Sequence, residues 1–347
     1  MENLARELAA AEAGLVYRPQ LTGEVLRVRG ADAPAWLQAT LSQDLAPLAA
    51  GSGARSLLLD ARGAVLADLA VLREAEGFLL LADADPARPL AEELARRLFR
   101  EQVELASLEA NSDVLWLGGP AAPALLAAQL APGELPAAPL AHRRSALAGW
   151  PLTLLASPRL GAPGFELVMD GACGPQGPET PTTGEGPAAA LRGLFRALAD
   201  AGGLRLSPAA AEHLRVAAGR ARRDPDLLRV LPQEAGLVPE AVSLGKGCYP
   251  GQEVVMRQAS RGRPRWRPLI LAGPGAAPAP GTALQSPAGE SEGWVSSTAS
   301  APAPPPGNEP GFLALGYLRT GAACEGLRLE DGRPLALRPP RLGPDSN

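Results

Sequence analysis

Histidine is nearly absent: the 347-residue chain holds only His142 and His213, with three cysteines, Cys173, Cys248 and Cys324. The cysteines are odd in number and far apart, with no CxxC or Cys/His ligand spacing. Neither a preformed zinc site nor a disulfide framework is therefore expected. Sparse cysteine fits a reducing, cytosolic compartment. No apolar run of about 18 residues occurs, so no membrane-spanning helix is expected. The opening Met1-Glu2-Asn3-Leu4 carries an early acid and no long apolar stretch, unlike a secretory signal. There is no excess of positive charge: 33 Lys and Arg stand against 37 Asp and Glu, a formal charge of −4. The chain as a whole thus has no electrostatic reason to bind nucleic acid or an anionic membrane.

Apolar residues make up 46% of the chain, enough for more than one core, and the length suggests two or three domains. The stretch 24–28 reads as a strand, Gly30 as a turn, and Asp32 with Pro34 as a helix start. Leu37, Leu41 and Leu45 recur at helical spacing on one face. Residues 56–60 and 65–72, joined by Ala61-Arg62-Gly63, form a predicted hairpin, followed by a strand at 78–81. Leu90, Leu94 and Leu98 mark another helix. The middle repeats this style, with strands at 114–117, 152–155 and 165–169 and helices over 121–130 and around Leu191 to Leu198. Ser207 and Pro208 begin a further helix. Residues 171–187 read as an exposed loop. No repeat of fixed period is apparent.

After residue 263 short strands alternate with Pro/Gly loops, at 268–271, 293–297, 311–318 and 327–329, interrupted by predicted insertions at 273–281 and 299–310. This predicts a small β-barrel or sandwich. Strands do not alternate regularly with helices, so a doubly wound sheet is not expected. The fold class is α+β, divided into 1–263 and a C-terminal β domain at 264–347.

The segment 243–253 carries the densest chemistry. Gly245, Gly247 and Gly251 surround Lys246, Cys248 and Tyr249, with Gln252 and Glu253 following. Glycines permit close backbone approach, and a neighbouring cation favours a reactive thiolate. A loop whose cysteine merely fills space fits the same residues. Arg257, Arg261, Arg263, Arg265 and Arg267, with Trp266 among them, suit an anion such as a polyglutamate tail or RNA phosphate; a solvated linker reads the same way. Glu166, in Phe165-Glu166-Leu167, and Arg215, in Leu214-Arg215-Val216, could converge on a flat, amide-rich heterocycle. By alternation alone, Glu166 could instead face water.

Leu244-Gly245-Lys246-Gly247-Cys248-Tyr249-Pro250-Gly251-Gln252-Glu253 resembles the K-G-C-Y-x-G-Q-E signature of YgfZ-type proteins. Arg257 and Arg261-Gly262 match its continuation. Leu231-Pro232-Gln233-Glu234 resembles the P-Q-E element, and 25–48, ending near Asp44, resembles the family's opening. Arg215 and Gly219 fit an R-x-x-x-G helix. Gly293 to Ser297 and Gly316-Tyr317 fit its C-terminal barrel. The resemblance spans roughly 20–335. It implies the fold of the related glycine-cleavage T-protein: two interleaved α+β subdomains and a C-terminal β-barrel around a tetrahydrofolate pocket. It further implies Glu166, Arg215, Tyr249, Gly247 and Gln252 as folate-binding residues, Cys248 and Lys246 as the reactive pair, and no resident metal. YgfZ-type proteins are folate-dependent accessory factors for iron–sulfur enzymes and influence tRNA modification through them, so the implied partners are folate and iron–sulfur proteins or their assembly factors. The alternative is aminomethyl transfer to tetrahydrofolate. Against it, the T-protein's Asp-Asp pair reads Ala67-Asp68 here, and the T-protein lacks the cysteine signature.

Overall fold

The computed structural model describes residues 2–19, 23–83, 85, 88–108, 114–161, 163–169, 187–302 and 311–338. The predicted loop at 171–187, apart from residue 187, and with it Cys173, lies outside them, as does 303–310 of the second predicted insertion. Helix α1 (Glu2–Ala13) leads into β1 (Val16–Pro19). A first unit follows: β2 (Glu24–Arg29), α2 (Ala33–Thr40), β3 (Gly53–Leu59), β4 (Val65–Glu74), β5 (Gly77–Ala82), α3 (Leu90–Ala95) and β6 (Glu104–Ser107). A second comprises β7 (Val114–Gly118), α4 (Ala122–Gln129), β8 (His142–Leu147), β9 (Trp150–Ala156), β10 (Gly164–Met169), α5 (Pro187–Asp200) and β11 (Leu204–Arg205). Then come α6 (Pro208–Ala217), a helical turn at Arg223–Leu227, α7 (Val238–Ala241) and α8 (Gln252–Arg261). The last strands are β12 (Trp266–Pro274), β13 (Ala283–Gln285), β14 (Ser291–Ala301), β15 (Gly311–Arg319), β16 (Arg328–Leu329) and β17 (Ala336–Arg338). The class is α+β, as expected.

The first two units repeat one topology, a relation the search for a short fixed period does not detect. The first sheet runs β3-β4-β5-β2-β6 and the second β8-β9-β10-β7-β1-β11. The N-terminal strand β1 thus occupies, beside β7, the place that β6 holds beside β2, and the two units interlock. The match extends to detail. Gly30 and Gly119 both turn the chain at positive φ, 119° and 92°. At Gly30 a Cβ would come within 2.0 Å of the Gln102 carbonyl oxygen, so no other residue fits. Both helices carry proline in the first turn. Both end on an extended leucine, Leu41 or Leu130, which bridges to Leu58 or Leu147. The predicted Leu37/Leu41/Leu45 helical face is therefore shorter than its periodicity suggests. The helix stops at Thr40, yet all three leucines enter one core. Asp32 sits at the N-cap position, but its carboxylate accepts from the Gln102 amide (2.7 Å) instead of capping the helix. Ser207 does cap α6, accepting from the Ala210 amide.

Alternation decides which core each strand side feeds. Leu26, Val28 and Leu80 face α2 and α3. Val25, Leu79 and Leu81 face Val114, Leu155 and Val168 of the second sheet. With both faces covered, the run Leu79-Leu80-Leu81 is apolar throughout. The third sheet, β16-β13-β14-β15-β12-β17, is antiparallel and curls into a half-barrel, where the sequence predicts a small barrel or sandwich. Strand β14 continues to Ala301, pairing Ser300 with Phe312, so the start of the predicted 299–310 insertion is strand. Leu57, Leu59 and Val65 of the first unit share a core with Leu227, Val230, Tyr249, Val255 and Tyr317, which ties the signature segment to both neighbouring sheets.

Leu37 and Leu126 are equivalent in the repeat and fully buried. We expect Leu37→Ala and Leu126→Ala each to cost about 2–5 kcal/mol in urea unfolding, as cavity-forming changes do. A loss below about 1 kcal/mol at either site contradicts the described packing.

Candidate functional site

Glu166 lies on β10, paired between β7 and β9, and is 1% exposed. The solvent-facing reading therefore fails, because this strand is central and covered on both sides. Its Oε1 accepts from the Ser157 hydroxyl and from Arg159 Nε (3.1 Å). Arg159 follows β9 and reaches on to Asp83 with Nη1 (2.8 Å). Burial alone would lower the Arg159 pKa, but the charges of Glu166, Asp83 and Asp68 raise it overall.

Asp83 and Asp68 line a small, partly open cleft with Glu24, Asp85, Arg88, Arg223 and the apolar Leu66, Ala67, Ala82 and Leu90. Each of its four carboxylates already has donors. Glu24 accepts from the Leu90 amide (2.6 Å) and the Asp85 amide (3.2 Å). Asp85 pairs with Arg223. Asp68 is held by a fork from Arg55, with Nε to Oδ1 at 2.9 Å and Nη2 to Oδ2 at 2.5 Å. Arg55 gives its third nitrogen to Glu240 (2.9 Å), which also accepts from Arg220 (3.0 Å). Burial would lower the Arg55 pKa, but Asp68 and Glu240 hold it well above its ordinary value.

Arg215 and Glu166 share no contact. Arg215 ends α6, and its donors go to Glu212 (2.7 and 3.0 Å), Asp226 (2.9 Å) and the Arg220 carbonyl. Asp226 is itself buried and accepts from Ser296 (2.6 Å) and Ser297 (2.7 Å) of β14. Arg215 therefore bonds α6 to the 220–227 segment and the third sheet, and it does not line the cleft.

The signature segment is a loop up to Gly251, where α8 begins. Lys246 is buried, and its ammonium donates to the carbonyls of Gln38 (2.5 Å), Leu41 (2.5 Å) and Gln43 (3.0 Å), closing the turn after α2. Burial draws its pKa down to about 8, with the charge of Asp44 opposing. Its hydrogen bonds thus run to that turn, and a cation–π contact joins it to Tyr249 (5.3 Å). Tyr249 is buried with no partner for its hydroxyl among the described residues, and burial raises its pKa. Gln252 donates to the Lys246 carbonyl (3.3 Å). Cys248 is exposed. Close approach explains only one of the three glycines. At Gly251, φ is 79° and a Cβ would come within 2.5 Å of the Asp60 carbonyl, whereas a Cβ at Gly245 or Gly247 would meet nothing within 4 Å. Of the predicted basic stretch, Arg267 bonds the Ala322 carbonyl and Cys324 Sγ, and Arg265 stacks on Trp266.

Arg55, Ser157, Arg159, Asp83, Asp85 and Arg223 are functional candidates that sequence reading misses. No group of three or more His, Cys, Asp or Glu residues placed to hold a metal occurs among the described residues, nor does a helix long and apolar enough to cross a membrane.

Residues 6–177 match the family model of the GCVT N-terminal domain. The solved glycine cleavage system aminomethyltransferase T from Bartonella henselae aligns over 98% of this chain and 89% of its own, at a TM-score of 0.77 and 24% identity. That likeness establishes a T-protein fold. The heterotetrameric sarcosine oxidase from Corynebacterium sp. U-96 aligns over 57% of this chain and 92% of its own, at 25% identity and a TM-score of 0.37, too low to carry an argument. No curated protein matches.

Removing one partner of a buried ion pair strands the other, at about 3–5 kcal/mol. Arg215→Ala should therefore lower unfolding free energy by about that amount. Lys246→Met leaves three carbonyls without their donor and should cost about 1–3 kcal/mol. Chemical denaturation of each variant checks both values, and native-like stability in either one refutes the role given to that side chain.

Proposed function

We propose that this chain, which carries a GCVT N-terminal domain in a T-protein fold, is a tetrahydrofolate-binding accessory protein of the YgfZ type, serving iron–sulfur enzymes and, through them, tRNA modification. The observation that most supports folate binding is the Glu166–Arg159–Asp83 relay, whose Asp83 end lines the cleft. It combines rigid charge with the apolar surface of Leu66, Ala67 and Ala82, as a flat heterocycle bearing several N–H groups requires. Because Glu166 is almost wholly enclosed, its contribution runs through Arg159. The accessory role rests on the resemblance of 244–253 to the YgfZ signature, within which the Cys248 thiol is exposed.

Aminomethyl transfer is the second reading, favoured by the T-protein fold itself. Ala67 in place of one acid of the Asp-Asp pair, and the engagement of Asp68 with Arg55, weigh against it.

Calorimetry should detect tetrahydrofolate binding by the native protein. Glu166→Gln should weaken it by loosening Arg159, by less than the roughly tenfold that loss of one charge-assisted hydrogen bond to the ligand would cost. No binding by the native protein removes the folate reading. Ammonia release from aminomethylated carrier protein at enzyme-like rates replaces the accessory role with the transferase. Cys248→Ser should keep folate affinity and fold while losing support of iron–sulfur enzymes in a complementation test; full complementation makes the thiol structural.

A further inference from the structure

We propose that Arg55 is a positioning residue that withdraws Asp68 from the ligand and so fixes the cleft for binding without transfer. The inference rests on the folate reading above. Asp68 lines the cleft, and it is the acid that remains where the sequence reads Ala67-Asp68. In a binding cleft for a heterocycle with adjacent N–H donors, a free carboxylate would accept two of them in parallel.

This carboxylate is not free. Arg55 stands on β3, where Leu57 pairs directly with Asp68 across the hairpin. Two residues earlier on the same face, Arg55 is the diagonal neighbour, within reach of a long side chain. The fork takes both oxygens of Asp68. The guanidinium cannot readily swing away, because its remaining nitrogen is bound to Glu240, which Arg220 holds from the other side. Arg55 and Asp68 are 18% and 16% exposed, so water competes weakly for either partner. A planar fork bound at both ends is more selective for this geometry than a point charge would be. Asp68 is thus spent inside the protein at the position where it would otherwise meet the ligand or take a proton from it.

The test is tetrahydrofolate affinity by calorimetry for the native protein, Asp68→Asn, Arg55→Gln and the double variant, with near-ultraviolet circular dichroism reporting the fold. If the native protein binds no tetrahydrofolate, the folate reading fails and the role of Arg55 falls with it. If it binds, Asp68→Asn should alter affinity less than about threefold, since Asp68 gives the ligand nothing. A larger loss overturns the proposal while leaving the folate reading standing. Arg55→Gln frees Asp68 and should tighten binding by about threefold or more. The double variant should return to the native affinity. A merely structural role for Arg55 predicts no tightening, so unchanged or weaker binding by a natively folded Arg55→Gln protein overturns the proposal. If that variant does not fold, Asp68→Asn alone decides.

Discussion

Guanidinium groups, Arg215 buried and Arg55, Arg159 and Arg223 half-buried, hold the junction of the three sheets. Arg159 links Glu166 in the second sheet to Asp83 just past the first. Arg55 links Asp68 of the first sheet to α7. Arg223 reaches Asp85. Arg215 ties α6 to Asp226, and Asp226 ties that segment to β14. Taking such charges out of water costs several kcal/mol per ion, so each survives only with partners placed on both sides. Geometry is the return on that cost. A flat apolar interface tolerates sliding, whereas a fork bound at two ends does not. Asp68, Asp83, Asp85 and Arg223, one or both members of three of these links, line the cleft, and its shape is inherited from them.

The signature loop is fixed by the same logic with a different cation. Lys246 satisfies three carbonyls of one turn, Ser42 donates to the Ala241 carbonyl, and the Ser243 amide returns to Ser42. Gly251 lets the start of α8 rest against the Asp60 turn of the β3–β4 hairpin. The loop is thereby anchored at both ends while Cys248 stays exposed between them. Anchoring is what lets a short loop present one thiol in a defined place, and it assigns Lys246 a structural duty where the sequence suggests a chemical one.

Much of the fold is legible in the sequence because it is local. The hairpin over 53–74 follows from two apolar runs around a turn at 60–63, and the Ser207–Pro208 helix start from cap chemistry. The helix ends are less legible. Leu41 and Leu45 continue a helical period, but Leu41 is recruited as an extended residue against Leu58, a tertiary contact that periodicity does not encode. The candidate site is mostly non-local. Lys246 bonds a carbonyl 208 positions away, and Arg159 an acid 76 positions away, so their residue types suggest function without revealing partners. Glu166 misleads alternation because β10 is central, where both faces are dry. Arg55 and Asp68 are close in the chain, but the strand read from sequence begins only at Ser56 and a register shift between Leu58 and Leu59 sets their diagonal pairing.

If tetrahydrofolate sits in the cleft lined by Asp83, the end of the Glu166–Arg159–Asp83 relay, binding must protect the backbone around it. Backbone hydrogen exchange of the native protein, with and without saturating tetrahydrofolate, tests it most directly. Exchange should slow at the amides of 83, 85, 88 and 90 and of the 157–161 turn, with the third sheet unchanged. Protection confined to the third sheet, or none anywhere while binding is detected, would contradict it.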